Sequence, residues 1–324
     1  MIQDLLGRSV AVAPMAGGPT TPDLVVAGAA AGALAFLAAG YKTADQVRAE
    51  LVAVRGATSA PFGLNVFVPG APADPPTAYV ERLRAEGFDV AEPVWDDDHW
   101  DDKVALLLDD APAVVTFTFG VPDRDLVDAL HERGTLVGFT VTVPEEAALA
   151  DGASFLVVQG HEAGAHRGTF TNGGTPDARP LPQLLGDVRA VTDVPLVAAG
   201  GAGTANDVRR LLAAGAVGVL CGTAFLRCPE SAARPQWKDA LADPRYTETA
   251  VTRAFSGRPA RGLRNRFIDD HPDAPAAYPE VNTATRPLRA VGDPEAMSLW
   301  AGTGWRSARD APVAEVLDAL TSGG

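Results

Sequence analysis

The chain has 324 residues, enough for one large domain or two ordinary ones, and 47% of them are hydrophobic. Its 27 Lys and Arg against 41 Asp and Glu give a formal net charge of −14, which argues against nucleic acid or an anionic membrane surface as a partner. Two cysteines are too few for a disulfide framework, and residues 1–8 lack the basic start and apolar stretch of a signal peptide. We therefore expect a cytoplasmic globular protein.

Short apolar runs alternate with helical patterns over the first two thirds of the chain. Eight runs predict buried strands, at residues 9–13, 33–38, 62–67, 113–119, 135–140, 155–158, 195–199 and 217–221. Helices are predicted at 22–32, 43–55, 75–86, 123–132, 144–149, 181–190 and 206–214. Eight βα units are the number that closes a parallel barrel, so the predicted fold class is α/β, a (β/α)8 TIM barrel.

The last third of the chain differs from the rest in composition and in the pattern of predicted elements. From about Pro229 it is rich in proline and arginine and follows no regular alternation, apart from a helix predicted at 311–320. We expect a barrel domain over residues 1–228 and an irregular C-terminal extension over residues 229–324 that packs on it.

The loop after the sixth predicted strand concentrates polar side chains among glycines and alanines. It carries His161, Glu162, His166 and Arg167, and such loops at strand ends are where α/β enzymes place their chemistry. The two histidines are five residues apart, about 140° around a helix, so the loop does not match the HExxH zinc motif. We therefore predict no metal here. The acidic residues at 96–98 and 101–102 are more typical of a capped helix start than of a metal site.

Two glycine turns follow the last two predicted strands. The first, Gly200 to Gly203, lacks the third glycine of a dinucleotide fingerprint, so it is a weak match to a Rossmann motif. In a barrel, its backbone amides and those of Gly222 and Thr223 would converge on one phosphate, because a Cβ at these positions would hold the phosphate oxygens away. The alternative is that both are simply tight turns.

Several motifs together resemble the nitronate monooxygenases, formerly called 2-nitropropane dioxygenases. They are VAPMAGG, FGLNVF, VVTFTFG, QGHEAGAHRGTF, AAGGAGTANDVRRLLAAGAVGVLCGTAF, FSGRPARGLRNRF, PLRAVGD and LWAGTG, in chain order. The resemblance spans essentially the whole chain. It implies a barrel that binds FMN and oxidises alkyl nitronates with O₂.

The resemblance also implies roles for single residues. His166 matches the active-site histidine, and the barrel and the extension would share the flavin pocket. The residues implied in cofactor binding are Pro14, Met15, Asn65, Gln159, Gly164, Gly200, Gly201, Gly203, Gly222, Thr223 and Ser256. Considered alone, Asn65 inside a strand also fits a tie to a neighbouring loop, and Ser256 with its arginine neighbours is typical of a solvated loop.

Two positions depart from the family pattern. Many relatives read FHFG at the fourth strand, where this chain has Thr118 in place of the histidine, a change that can alter the substrate pocket. The family loop usually reads EAGGH, and here Ala165 replaces the second glycine, which would crowd the loop slightly.

Alternatives remain open from the sequence. His166 can act as an imidazolium that holds an anionic nitronate, or as a free base that takes a proton from a neutral nitroalkane. Two other functions fit the glycine motifs: a flavin enoyl thioester reductase that uses NAD(P)H, and a non-redox barrel that binds a phosphate ligand. FMN is expected rather than FAD, because no second nucleotide-binding unit is visible. The sequence does not indicate an oligomeric state.

Overall fold

A computed structural model describes residues 1–322 and contains eleven strands there. They are β1 (Val10–Val12), β2 (Phe36–Ala38), β3 (Gly63–Phe67), β4 (Val114–Thr118), β5 (Leu136–Val141), β6 (Phe155–Gln159), β7 (Ala165–His166), β8 (Leu196–Ala199), β9 (Gly218–Cys221), β10 (Thr249–Thr252) and β11 (Ala260–Leu263).

Eight of these strands form one parallel sheet in the order β1-β9-β8-β6-β5-β4-β3-β2. A parallel bridge between Val12 and Ala35 joins the two ends of this order, with the amide of Val12 donating to the carbonyl of Leu34 at 2.9 Å. The sheet is therefore a nearly closed barrel. All eight strands lie where the apolar runs predict them, so the (β/α)8 prediction is confirmed.

Fourteen α-helices accompany the strands in the described part of the chain. They are α1 (Ile2–Leu6), α2 (Pro22–Ala30), α3 (Ala44–Ala57), α4 (Thr77–Ala85), α5 (Trp100–Asp110), α6 (Arg124–Glu132), α7 (Pro144–Leu149), α8 (Leu181–Arg189), α9 (Ala205–Ala213), α10 (Pro235–Ala240), α11 (Arg266–Asp270), α12 (Glu280–Ala284), α13 (Arg286–Ala290) and α14 (Val313–Thr321). Within residues 1–322, no helix is long and apolar enough to cross a membrane.

The barrel is closed at one end by α1. Its Ile2 and Leu6 are buried in a cluster with Phe36 and Phe155, which begin β2 and β6. These are the amino ends of the strands, so apolar packing fills that end of the barrel. The opposite end, where the strands finish, is the end left open to a ligand.

The extension has more regular structure than the sequence predicts. The hairpin β10–β11 pairs with β7, and Ala260 lies opposite His166 in an antiparallel ladder. The helix predicted at 311–320 is α14, which packs against α2 and α9. The other elements are four to six residues long and lie between prolines and turns, so periodicity could not reveal them.

Candidate active site

A cavity of about 690 Å³ opens at the carboxyl ends of the barrel strands. Its wall contains loops that follow β1, β6, β8 and β9, together with residues of the extension. All the residues implied by the family resemblance line it, except Gly203 and Ser256. The extension contributes Arg286, Arg289, Trp300, Gly302 and Gly304 among others.

His166 lies on β7, held at the cavity by the extension. Its Nε2 is 2.8 Å from Ser256 Oγ, and the rings of Tyr278, Trp300 and Phe119 have centroids 5.4, 5.7 and 6.1 Å from its own. Ser256 is fully buried. The solvated-loop interpretation of Ser256 is therefore wrong: the segment folds inward because it pairs with the histidine loop.

The hydrogen bonds of Ser256 orient the histidine ring. Ser256 Oγ donates its one proton to the carbonyl of Arg258 at 3.2 Å. With that proton on the carbonyl of Arg258, the Nε2–H of a neutral His166 donates to Ser256 and the lone pair resides on Nδ1; with the serine proton directed at Nε2, Nδ1 instead carries the ring proton. Within residues 1–322, Nδ1 has no hydrogen-bond partner. Nδ1 is thus the ring atom available to a substrate.

The electrostatic environment keeps His166 neutral. Burial, assisted by the charges of Arg258 and Arg289, lowers the pKa of His166 from 6.5 to about 3. Desolvation and like charges both disfavour the imidazolium form. Of the two forms that the sequence left open, this environment favours the free base.

Gln159 ties the end of β6 to the histidine loop. Its Nε2 donates to the carbonyl of His166 at 3.0 Å, and its Oε1 accepts from the amide of Gly168 at 2.8 Å. Arg167, which is buried, donates from Nη1 to the carbonyls of Gln159 and Gly160. These bonds hold His166 over the barrel mouth, a role for Gln159 beyond the predicted contact with a cofactor.

Asn65 ties β3 to the neighbouring strand β4, and not to a loop as its position in the sequence suggested. Its Nδ2 donates to Thr116 Oγ1 at 3.0 Å and to Thr118 Oγ1 at 2.9 Å, across the β3–β4 pair. Thr118 Oγ1 also lies 3.2 Å from Thr140 Oγ1. The threonine that replaces the family histidine is therefore bound into a network of hydroxyl and amide groups that lines the cavity.

The two glycine turns present free backbone amides. Within residues 1–322, the amides of Gly201, Ala202, Gly222 and Thr223 have no protein acceptor. The amide of Gly203 instead donates to Asp207 Oδ2 at 3.2 Å. All four residues are half-buried and line the cavity, so their amides are available to an anion.

The structure gives a second reason for glycine in the first turn, beside the one that the sequence suggested. Gly200 and Gly201 have φ angles of 121° and 69°, and a Cβ on Gly201 would lie 3.0 Å from Glu162 Cβ. On Gly203 it would lie 2.6 Å from the carbonyl oxygen of Gly304. Glycine is thus required in the first turn by the backbone and by neighbouring chain segments. Only at Gly222 would a Cβ meet ordinary contacts, 3.4 Å from Met15 Cγ.

A third segment, Gly302 to Gly304, completes this anion cradle. The amide of Gly302 donates to Thr223 Oγ1 at 3.0 Å, which leaves the hydroxyl proton of Thr223 for another acceptor. A Cβ on Gly164 would lie 2.5 Å from the nitrogen of Gly302, so Gly164 is needed for this close approach. Gly302 and Gly304 belong to the LWAGTG motif, for which the sequence alone indicated no role.

Other titratable groups of the sequence lie outside this chemistry. His161 Nδ1 is 2.9 Å from the carbonyl of Arg179, and burial raises the pKa of Cys221 to about 12, so its thiol stays protonated. Within residues 1–322, no group of three histidine, cysteine or acidic residues could hold a metal ion. The acidic residues before α5 include Asp98, which pairs with the buried Lys103 at 2.7 Å.

Three residues near His166 were not predicted from the sequence: Tyr41, Tyr278 and Arg289. The hydroxyls of Tyr41 and Tyr278 are 3.2 Å apart at one side of the cavity. Arg289 belongs to the PLRAVGD motif, which was the only available signal for it. The cavity, with its neutral histidine and its anion cradle, identifies the chain as a (β/α)8-barrel enzyme with its active site at the carboxyl ends of the strands.

Comparison with known proteins identifies the family. The family model for nitronate monooxygenase matches residues 2–323. A nitronate monooxygenase from Pseudomonas aeruginosa is 40% identical, covering 98% of this chain and 96% of its own length, and a probable nitronate monooxygenase from Bacillus subtilis is 36% identical, covering 93% and 91%. The chain belongs to the nitronate monooxygenase family. The crystal structure of a nitroalkane oxidase from Streptomyces ansochromogenes superposes with a TM-score of 0.96 at 44% identity, covering 99% of this chain and 96% of that one.

Proposed function

We propose that this enzyme oxidises alkyl nitronates, using bound FMN and O₂, to carbonyl compounds and nitrite. The observation that carries the proposal is the neutral His166, whose free Nδ1 lines the same cavity as the four unpaired amides. Family membership supports the nitronate as the substrate class.

The cavity fits FMN in size and in chemistry. The free amides of Gly201, Ala202, Gly222 and Thr223, with the Thr223 hydroxyl, would hold its phosphate, while Pro14, Met15, Asn65, Gln159 and Gly164 line the space for its ring. When bound, the flavin accepts electrons from the substrate and O₂ reoxidises it. We propose that residues 1–228 provide the phosphate loops, and that residues 229–324 complete the pocket.

The residues of the chain itself position the substrate and handle one proton. Nδ1 of His166 can accept a hydrogen bond or a proton from the substrate carbon, while Ser256 fixes the ring. A pKa near 3 makes the His166 ring a weak base, and general bases work best near the operating pH. The preformed nitronate, which has already lost its proton, is therefore the better substrate.

The purified protein provides the test. We expect it to be yellow, to release FMN on heating as identified by chromatography, and to consume O₂ and form nitrite when preformed nitronate is added. Release of FAD, or nitronate turnover without flavin, would contradict the proposal. Rapid anaerobic bleaching by NAD(P)H would support the enoyl thioester reductase instead. A colourless protein that retains no flavin after reconstitution would support the non-redox phosphate-binding barrel.

A further inference from the structure

Arg289 presents one edge of a fixed guanidinium group to the cavity. Its Nη2 donates to the carbonyl and to Oδ1 of Asn282, at 2.7 and 2.9 Å, and its Nε donates to Thr285 Oγ1 at 3.2 Å. Within residues 1–322, its Nη1 has no acceptor, although the residue lines the cavity. The side chain is therefore held rigid by α12 and α13, with one donor edge left for a ligand.

The charge of Arg289 is not neutralised by the protein. No carboxylate of residues 1–322 lies within 4.0 Å of its guanidinium group, even though the chain carries a net charge of −14. Desolvation lowers the pKa of Arg289 to about 10, so the group stays charged at neutral pH. Arg289 is half-buried and lines the cavity, so an anionic ligand there would supply the partner that the protein does not.

The neutral histidine creates a need for such a cation. A nitronate carries one negative charge, and a ring that is uncharged at working pH cannot balance it. Arg258 is the other arginine whose charge reaches His166. Its Nε and Nη2 donate to the carbonyls of Arg167 and Thr169, and its guanidinium carbon lies 3.9 Å from the ring centroid of Phe119. Arg258 is buried and does not line the cavity, whereas Arg289 lines it.

We propose that Arg289 binds the negatively charged oxygens of the nitronate through Nη1, and that this contact makes the enzyme prefer the anionic substrate over the neutral nitroalkane. The proposal rests on the nitronate activity proposed above. Its direct consequence is an affinity for planar oxyanions that does not depend on turnover.

Nitrate is a planar oxyanion that resembles the nitronate group and cannot be oxidised, so it tests the site directly. Isothermal titration of the purified protein with nitrate should show binding, and Arg289→Met should weaken it by about 10- to 100-fold, the effect of one charge-assisted hydrogen bond. Arg289→Lys keeps the charge and should retain part of the affinity. Arg133→Met is the control and should bind like the unmodified protein, because Arg133 is exposed at the end of α6 and does not line the cavity.

Kinetics provides the second measurement. Arg289→Met should raise KM for the nitronate by a similar factor and change KM for the neutral nitroalkane much less. Absence of nitrate binding in the unmodified protein, unchanged nitrate affinity in Arg289→Met, or a loss confined to kcat would each overturn the proposal. If the proposed nitronate activity is absent, the unmodified protein will show no O₂ uptake with nitronate. The nitrate titration would still show whether Arg289 binds a planar oxyanion.

Discussion

The Nε2 of His166 and the Oγ of Ser256 are 2.8 Å apart, although the two residues are separated by 90 positions in the chain. The contact joins the loop after β6 to the segment between β10 and β11, where the β7–β11 ladder aligns the two backbones. It fixes the orientation of the imidazole ring.

Substitution of Ser256 tests that relationship. We expect Ser256→Ala to lower turnover of the neutral nitroalkane by about 3- to 10-fold, because one hydrogen bond of about 0.5–1.5 kcal/mol no longer orients the imidazole ring. Flavin retention should be unchanged. Ser231→Ala removes another buried hydroxyl, one that accepts from the amide of Ala233, and is the matched control. Equal activities of the two variants would contradict a positioning role for Ser256.

Substitution of His166 separates its two chemical tasks. We expect His166→Ala to lower activity on a neutral nitroalkane by about 10²–10⁴-fold, the range for loss of a general base. Activity on the preformed nitronate should fall less, because its proton is already gone. FMN should remain bound, since the amides that would hold its phosphate belong to other loops. Oxygen-uptake assays with both substrate forms measure this, and unchanged rates with both would show that His166 is structural.

The depressed pKa of His166 predicts a pH dependence of stability. Between pH 6.5 and about 3 the unfolded chain binds a proton at this residue and the folded chain does not, so its contribution to stability decreases as pH falls. His166→Gln removes that contribution. The free energy of unfolding, measured by urea denaturation, should then fall less steeply below pH 6.5, by up to about 1.4 kcal/mol per pH unit. Identical slopes for the two proteins would mean that His166 titrates normally.

Gly222 offers a cleaner test of phosphate binding than Gly201. We expect Gly222→Val to weaken FMN binding by about 10- to 100-fold with little loss of stability, because its φ of −109° suits any residue and its Cβ would meet Met15 at an ordinary distance. Gly201→Val should also destabilise the fold, since its φ of 69° costs a side chain about 1–2 kcal/mol. Flavin titration with thermal unfolding of the apoprotein distinguishes them. Unchanged FMN affinity in Gly222→Val would place the phosphate elsewhere.

The alanine at position 165 has a left-handed backbone, with φ of 62°. Ala165 in place of the family glycine was predicted to crowd the loop slightly. In the structure it occupies a backbone conformation that is strained for a residue with a side chain. We expect Ala165→Gly to leave the free energy of unfolding unchanged or to raise it by up to about 1 kcal/mol, since relief of strain offsets the entropy cost of glycine. Ala213→Gly, at the end of α9, should lower it by about 0.5–1 kcal/mol. Equal losses for both substitutions would contradict the strain.

The sequence by itself determined the barrel and the place of its open end. Strands that are buried on both faces need continuous apolar runs, and the turns after β8 and β9 need glycine for their backbone geometry. Both features depend on neighbouring residues alone, so the sequence predicts them. The sequence also predicts that His166 lies near the end of β6, because it follows that strand closely in the chain.

Only the tertiary structure decided the chemical state of that site. Ser256, Arg258 and Arg289 come from a part of the chain with short elements and no periodicity, and they reach His166 through contacts across 90 residues or more. Burial and the field of neighbouring charges set the pKa of a histidine, and neither can be read from the residues beside it. The sequence therefore left His166 free to be charged or neutral, and the packing of the extension over the barrel mouth made it neutral.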